Sequence, residues 1–173
     1  MKIGLLGGSF NPAHVGHLYI SEIALKKLKL DQVWWLVSPL NPLKKKEDMM
    51  DFTLRLDHAQ AIAGRNPKIK VLGIEVELGT RYTVDTIKRL KKKFPHVEFF
   101  WLMGTDNLLQ FTRWKKWQHI LDLAEVHVFD RDDDFYRATK SRAYLRYPNR
   151  ITYHKIRKNS ASSTEIRRLT KVK

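Results

Sequence analysis

A chain of 173 residues, 43% apolar and 11% aromatic, can bury a core and suits one domain, which excludes a disordered tail. No apolar run approaches the roughly 18 residues a membrane span needs. Gly7, Gly8 and Pro12 cut the apolar start too short for a secretory leader, so a cytoplasmic protein is expected. With no cysteine, thiolate metal and redox chemistry and a disulfide framework are excluded. The 33 Lys and Arg against 18 Asp and Glu, a formal charge of +15, fit a nucleic-acid partner, a small anionic substrate or a lysine-rich surface. The runs at 26–29, 44–46 and 88–93 read mostly as solvated helix faces.

The elements alternate from the start. Residues 2–7, "KIGLLG", read as a buried strand ended by glycines. Val15, Leu18, Ile20, Ile23, Ala24 and Leu28 recur at helical spacing and predict a helix over 15–29. "QVWWLVS" at 32–38 is a continuous apolar run expected of a buried strand, and Pro39 and Pro42 force a loop after it. A helix is expected over 52–65, closed by Gly64 and Asn66-Pro67, then a strand over 68–77. An amphipathic helix over 82–94 stops before Pro95, followed by a strand at 97–104, a helix at 112–121 and a strand at 124–129. Residues 130–149 read as a mobile loop carrying a short helix. A short last strand at 150–156 and a helix at 162–171 with Ser and Thr caps complete the chain. Strand and helix in alternation mean βαβ units. The expected fold is α/β, a Rossmann-like three-layer αβα sandwich with a mostly parallel sheet, in one domain spanning 1–173.

In such a sheet, ligands sit at the carboxyl ends of the strands. The loop after the first strand, "GGSFNPAHVGHL" at 7–18, is therefore the first candidate. Gly7 and Gly8 would let backbone N–H groups approach a ligand. A helix starting near Ala13 or His14 would offer free N–H groups and the positive end of its dipole to an anion. His14 and His17, three apart, share a face and can donate to phosphate oxygens. The plainer alternative is a pair of surface histidines after a turn. Two histidines without further ligands at metal spacing argue against zinc, and neither a Walker A loop nor a GxGxxG fingerprint is present. Asp132 to Asp134 suit a solvated loop better than a metal site.

"HVGH" at 14–17 resembles the (H/T)xGH signature of the nucleotidyltransferase superfamily, and "SSTEIRR" at 162–168 is similar to its ISSTxxR element, with Ala161 where Ile is usual. Three further segments, "SPLNPLKKK" at 38–46, "RYTVDTI" at 81–87 and "MGTDNLLQFTRWKKW" at 103–117, resemble the bacterial nicotinate mononucleotide adenylyltransferases. The likeness spans nearly the whole chain.

The resemblance implies a reaction of ATP with nicotinate mononucleotide, by direct in-line transfer without a covalent enzyme intermediate. It implies catalytic roles for His14, His17 and Arg167, and an ATP site of Gly7, Gly8, Ser9, Phe10, His14, His17, Ser162, Ser163, Thr164 and Arg167. Ser163 and Thr164 serve equally well as helix caps. The mononucleotide would meet Lys44, Tyr82, Thr83, Asp106, Trp117 and Arg131. Leu43 stands where the family has His, and Asn41 where it has Pro, so Lys45 and Lys46 compete with Lys44 for that role. Asp106 could instead be an N-terminal helix acid, and residues 82–86 could simply open a helix. Trp114, Trp34 and Trp35 are expected in the core. Mg²⁺ would enter with ATP, held by phosphate oxygens and water, with no metal site of the protein's own. No nucleic-acid or membrane partner is expected, and a homo-oligomer stays open.

Overall fold

The computed structural model describes residues 1–40, 49–64, 66–130 and 135–156. Six strands form one sheet in the order β3-β2-β1-β4-β5-β6, every neighbouring pair parallel. They are β1 (Lys2–Gly8), β2 (Gln32–Val37), β3 (Ile69–Leu72), β4 (Glu98–Gly104), β5 (Glu125–Asp130) and β6 (Ile151–Lys155). The apolar runs are long because the central strands are covered on both faces. On one face, Ile3, Leu5, Trp34, Trp101 and Met103 pack beneath α4 (Thr83–Lys93) and α6 (Trp117–Leu123). On the other, Leu6, Trp35, Val37 and Leu102 pack beneath α1 (Val15–Lys27) and α2 (Phe52–Ala63). Successive strand residues thus feed opposite cores, as the period of two requires, and the three-layer expectation holds.

Two predicted elements differ. The strand expected over 68–77 ends at Leu72, and after Gly73 the chain makes one helical turn, α3 (Ile74–Glu77). Ile74 and Glu75 are both buried while Val76 and Glu77 are exposed, a pattern no strand can give. The helix expected over 112–121 is broken. A short α5 (Thr105–Gln110) runs into a 3-10 turn at Phe111–Arg113, and Lys116 takes a left-handed φ of 48° before α6 begins. The break lets Phe111, Trp114 and Trp117 meet edge to face, at 5.3 Å and 5.6 Å from Phe111, which a continuous helix would forbid. Within 130–149 the described part forms α7 (Phe135–Thr139) and α8 (Arg142–Arg146), seated by the buried Ala138 and Ala143. The helix expected over 162–171 lies outside the described residues.

One feature of the sheet makes stability pH-dependent. His127 Nδ1 lies 2.9 Å from His154 Nε2 across β5 and β6, with Phe100 and Phe129 against the rings. Burial pulls His154 down to about 4, helped by the nearby His127 and Lys27, and burial also lowers His127 against the opposing pull of Glu125. The Glu125 carboxylate is 3.4 Å from His127 Nε2 but is mostly exposed and not aligned for a hydrogen bond. The fold therefore holds both rings neutral. Below the ordinary histidine value of about 6.5 the unfolded chain binds protons that the fold refuses. Stability is fully present above that pH and falls as pH drops from 6.5 toward 4. Thermal unfolding should show a lower midpoint at pH 5 than at pH 7.5, and His154→Phe should reduce that difference. An equal difference in the variant would count against the pair as its source.

Candidate active site

The chain leaves β1 toward β2 on one side and β4 toward β5 on the other. The loops after these two neighbouring strands therefore diverge and open a crevice at their carboxyl ends. Gly104 closes β4 there, and among the described residues other than its chain neighbours no heavy atom lies within 4 Å of where a Cβ would stand. Gly7 is different. A Cβ on it would lie 2.4 Å from Cη2 of Trp101, so its lack of a side chain makes room for a neighbouring indole. Gly8 has only ordinary contact with Phe10.

The loop from β1 turns through Phe10, which takes a left-handed φ of 47° with its ring buried, and delivers His14 as the N-cap of α1. His14 Nδ1 accepts the Gly16 N–H at 3.0 Å, His17 Nδ1 accepts the His14 N–H at 3.3 Å, and the His17 N–H goes to the His14 carbonyl at 2.9 Å. The two residues cap the helix reciprocally. The backbone thus departs from the expectation of free N–H groups: the histidines themselves occupy those of Gly16 and His17. A ring nitrogen that accepts an N–H carries no proton, so each neutral imidazole holds its proton at Nε2. Nε2–H is then the donor that each ring can offer to a phosphate oxygen. The rings lie 4.0 Å apart.

Beneath them, beside the expected Phe10, stand Trp35, which the sequence assigned to packing, and Ser21 and Arg55, which it did not single out. His17 sits 4.6 Å from the Phe10 ring and 5.9 Å from Trp35. Trp35 Nε1 donates to Ser21 Oγ at 2.7 Å, and Ser21 donates to the His17 carbonyl at 2.8 Å. Arg55, from α2, is buried and reaches the carbonyl of Ser9. Burial lowers its guanidinium below the ordinary arginine range, opposed by Asp51. Ser9 Oγ is buried with no hydrogen-bond partner among the described residues.

On the other face of the sheet, Tyr82 caps α4 through its extended backbone, without a side-chain hydrogen bond, and Thr83 is the first helical residue. Lys115 joins this helix start to the approach of α6. Its Nζ lies 4.3 Å over the Tyr82 ring and 3.1 Å from Asp85 Oδ2. Trp117, first in α6, is half-buried against Phe111 and Tyr147, and Trp114 packs on Trp101 at 6.0 Å. Thr86 holds the α4 start from below, bonded to Thr80 at 2.9 Å and to the buried Glu75 at 3.3 Å. Burial pushes the Glu75 carboxyl up against the hydroxyls of Ser38 and Thr86. Asp106 is exposed in the first turn of α5. At the end of β5 the buried Asp130 takes the Tyr153 hydroxyl, and Thr105 Oγ1 lies 3.4 Å away.

The structure thus gathers Gly7, Gly8, Ser9, Phe10, His14 and His17 at the β1 end of the crevice. Lys115 brings the segment of Tyr82 and Thr83 to that of Trp117. Lys44, Arg131, Ser162, Ser163, Thr164 and Arg167 lie outside the described residues. Among the described residues no three His, Asp or Glu side chains converge to hold a metal ion, and no helix is long and apolar enough to cross a membrane.

Residues 5–169 match the model of the cytidylyltransferase-like family. The chain belongs to that family. Among its curated relatives, a probable nicotinate-nucleotide adenylyltransferase of Parvibaculum lavamentivorans is 52% identical over 76% of this chain and 65% of its own length. One from Cereibacter sphaeroides is 46% identical over 87% of this chain and 79% of its own. The match thus spans just under two thirds of the Parvibaculum relative. In fold, the chain resembles the Plasmodium falciparum nicotinic acid mononucleotide adenylyltransferase complexed with NaAD, with a TM-score of 0.75 at 17% identity, covering 96% of this chain and 82% of that one.

Proposed function

We propose that this family member transfers the adenylyl group of ATP to nicotinate mononucleotide, giving nicotinate adenine dinucleotide and pyrophosphate, as a cytoplasmic enzyme of NAD biosynthesis. The observation that carries the proposal is the reciprocally capped His14–His17 pair at the crevice between β1 and β4. It stands in a chain about half identical to relatives bearing that name.

The mechanism needs no nucleophile from the protein. A phosphate oxygen of the mononucleotide bonds to the α-phosphorus of ATP while the bond from that phosphorus to the bridging α–β oxygen breaks, and pyrophosphate carries the electron pair away. The protein's task is to hold two anions in line and stabilise the charge that builds up between them. His14 and His17 donate through Nε2–H to the triphosphate, fixed in that tautomer by their caps, while Gly7, Gly8, Ser9 and Phe10 line its path. Arg167, with Ser162, Ser163 and Thr164, is assigned to the same phosphates and Lys44 and Arg131 to the mononucleotide, on their motif positions alone. Thr83 and Tyr82 take the nicotinate carboxylate end, the half-buried Trp117 offers its ring to the pyridine, and Asp106 holds a ribose hydroxyl. Mg²⁺, bound to phosphate oxygens and water, would neutralise triphosphate charge.

A pyrophosphate-release assay decides the matter. With ATP, turnover on nicotinate mononucleotide should exceed that on nicotinamide mononucleotide and on phosphopantetheine. Good turnover with phosphopantetheine and none with the nicotinate compound would sink the assignment.

A further inference from the structure

Arg55 is 1% exposed, yet no described ion pair holds it. Its charge goes to four backbone carbonyls. Nη1 donates to Ser9 at 2.6 Å and to Ser38 at 2.7 Å, Nη2 to Pro39 at 2.9 Å, and Nε to Met50 at 3.0 Å. The guanidinium also lies 5.4 Å from the Phe52 ring. Asp51, one residue after Met50, spends its carboxylate on capping α2, accepting the Thr53 N–H at 2.8 Å. Burying a guanidinium is costly unless its donors are met. An apolar side chain would fill the same space without that cost. What the planar, five-donor fork supplies, and an apolar group does not, is fixed spacing among the atoms it binds.

Those atoms belong to three separate places in the chain. Ser9 lies in the loop after β1, one residue before Phe10, the ring against which His17 rests at 4.6 Å. Ser38 and Pro39 follow β2, and Met50 precedes α2. The chain therefore leaves β2 and returns to α2 through points gripped by one side chain, which also grips the histidine loop. Asn11 adds a second tie, accepting the Met50 N–H at 2.9 Å. We infer that Arg55 is a positioning residue for adenylyl transfer, setting the distance between the loop that carries His14 and His17 and the chain that enters and leaves the loop after β2.

The inference rests on the function proposed above, with the nucleotide on the first loop and the acceptor phosphate on the second. In-line transfer requires the two phosphates to be held near contact, and a shift of about 1 Å can cost on the order of 100-fold in rate. Lysine keeps the charge but, as a single ammonium, cannot span carbonyls in three segments. Arg55→Lys should thus lower kcat by on the order of 100-fold per folded molecule, while the Kd for ATP alone, whose donors are intact, changes by less than about threefold.

The test uses the full chain as wild type, Arg55→Lys and Arg55→Gln. It combines pyrophosphate-release kinetics, ATP titration without acceptor, thermal unfolding and amide hydrogen exchange. Beside the kcat loss, exchange should speed up at the amides of Ser9, Phe10, Asn11, Ala13, His14, Ser38 and Leu40 and stay unchanged in β4 and β5. That local pattern would not arise from uniform destabilisation. A variant with a lower melting midpoint but unchanged kcat would overturn the inference. So would faster exchange throughout the molecule, or failure of both variants to fold, since Arg55 would then be holding the fold itself. If wild type shows no turnover with any mononucleotide, the proposed reaction fails instead, and the exchange pattern still reports whether Arg55 ties the loops.

Discussion

His17→Ala is expected to lower kcat by about 10²–10³-fold, the usual cost of deleting one preorganised donor to a transition state, with the KM for the mononucleotide nearly unchanged. The geometry also foresees a second effect. His17 Nδ1 accepts the His14 N–H, so alanine removes a helix cap as well, at a cost of about 0.5–2 kcal/mol. Asparagine separates the two roles. Its side-chain oxygen can accept that N–H in place of Nδ1, but no donor reaches the place of Nε2. His17→Asn should therefore recover much of the melting temperature lost in His17→Ala and little of the turnover. If both variants lost less than tenfold in kcat, His17 would be a cap and no more. If Asn restored turnover together with stability, the rate loss would come from a frayed helix start rather than a missing donor.

That division between cap and donor also marks where sequence reasoning ran out. The histidines were legible because their partners are local: His14 bonds Gly16, and His17 bonds back to His14, within one helical turn. The fate of the helix-start N–H groups was not, because a histidine side chain is an unusual cap and the sequence reads the same whether its ring faces out or folds back. The buried strands β1, β2, β4 and β5 were legible because a parallel sheet covered on both faces writes itself as an unbroken apolar run. "IEVE" at 74–77 misled because β-branched residues alternating with Glu imitate a half-exposed strand, whereas the folded chain turns after Gly73 and buries Ile74 and Glu75 together. "TRWKKWQHIL" misled in the opposite direction, since tryptophans three apart fit a helix that Lys116 in fact interrupts.

The supports of the site were beyond reach for a common reason: they are tertiary. Arg55 finds Ser9 across 46 residues of sequence and Trp35 finds Ser21 across 14. An arginine on an amphipathic helix is ordinarily solvated, so nothing local sets Arg55 apart from Arg89 or Arg113. Lys115 looked like one more surface lysine in a strongly basic chain, until Tyr82 and Asp85 were found beneath it. One charge of the basic surface thus joins the start of α4 to the approach of α6.

Gly7→Ala carries the largest expected cost in stability, and it tests a packing role that the glycine's place at the end of β1 conceals. A Cβ at position 7 would lie 2.4 Å from Cη2 and 2.9 Å from Cζ2 of Trp101, closer than side-chain carbons approach. Something must move. Gly7 is on β1, paired with Leu36 of β2 one residue past Leu6, the last β1 residue matched to β4, so the strand cannot retreat without disturbing its ladders. Trp101 is 3% exposed and set edge to face against Trp114, so the indole can move only by disturbing the aromatic cluster around Phe111. Its N–H has no partner among the described residues, so no hydrogen bond is lost, and the cost falls on packing alone. Overpacking of this kind costs about 1–3 kcal/mol, which for a chain of this size lowers the melting midpoint by about 2–4 °C per kcal/mol. Trp101→Leu alone should also destabilise, by leaving a cavity. In the double variant the new methyl group occupies part of that cavity, so the two losses should fall short of additive, a coupling that a double-mutant cycle reads directly. Gly104→Ala supplies the contrast, since its Cβ meets no described residue beyond its chain neighbours within 4 Å and should leave the midpoint unchanged. Strict additivity of Gly7→Ala and Trp101→Leu would refute the steric account and return Gly7 to the role its sequence first suggested, that of clearing space for a phosphate.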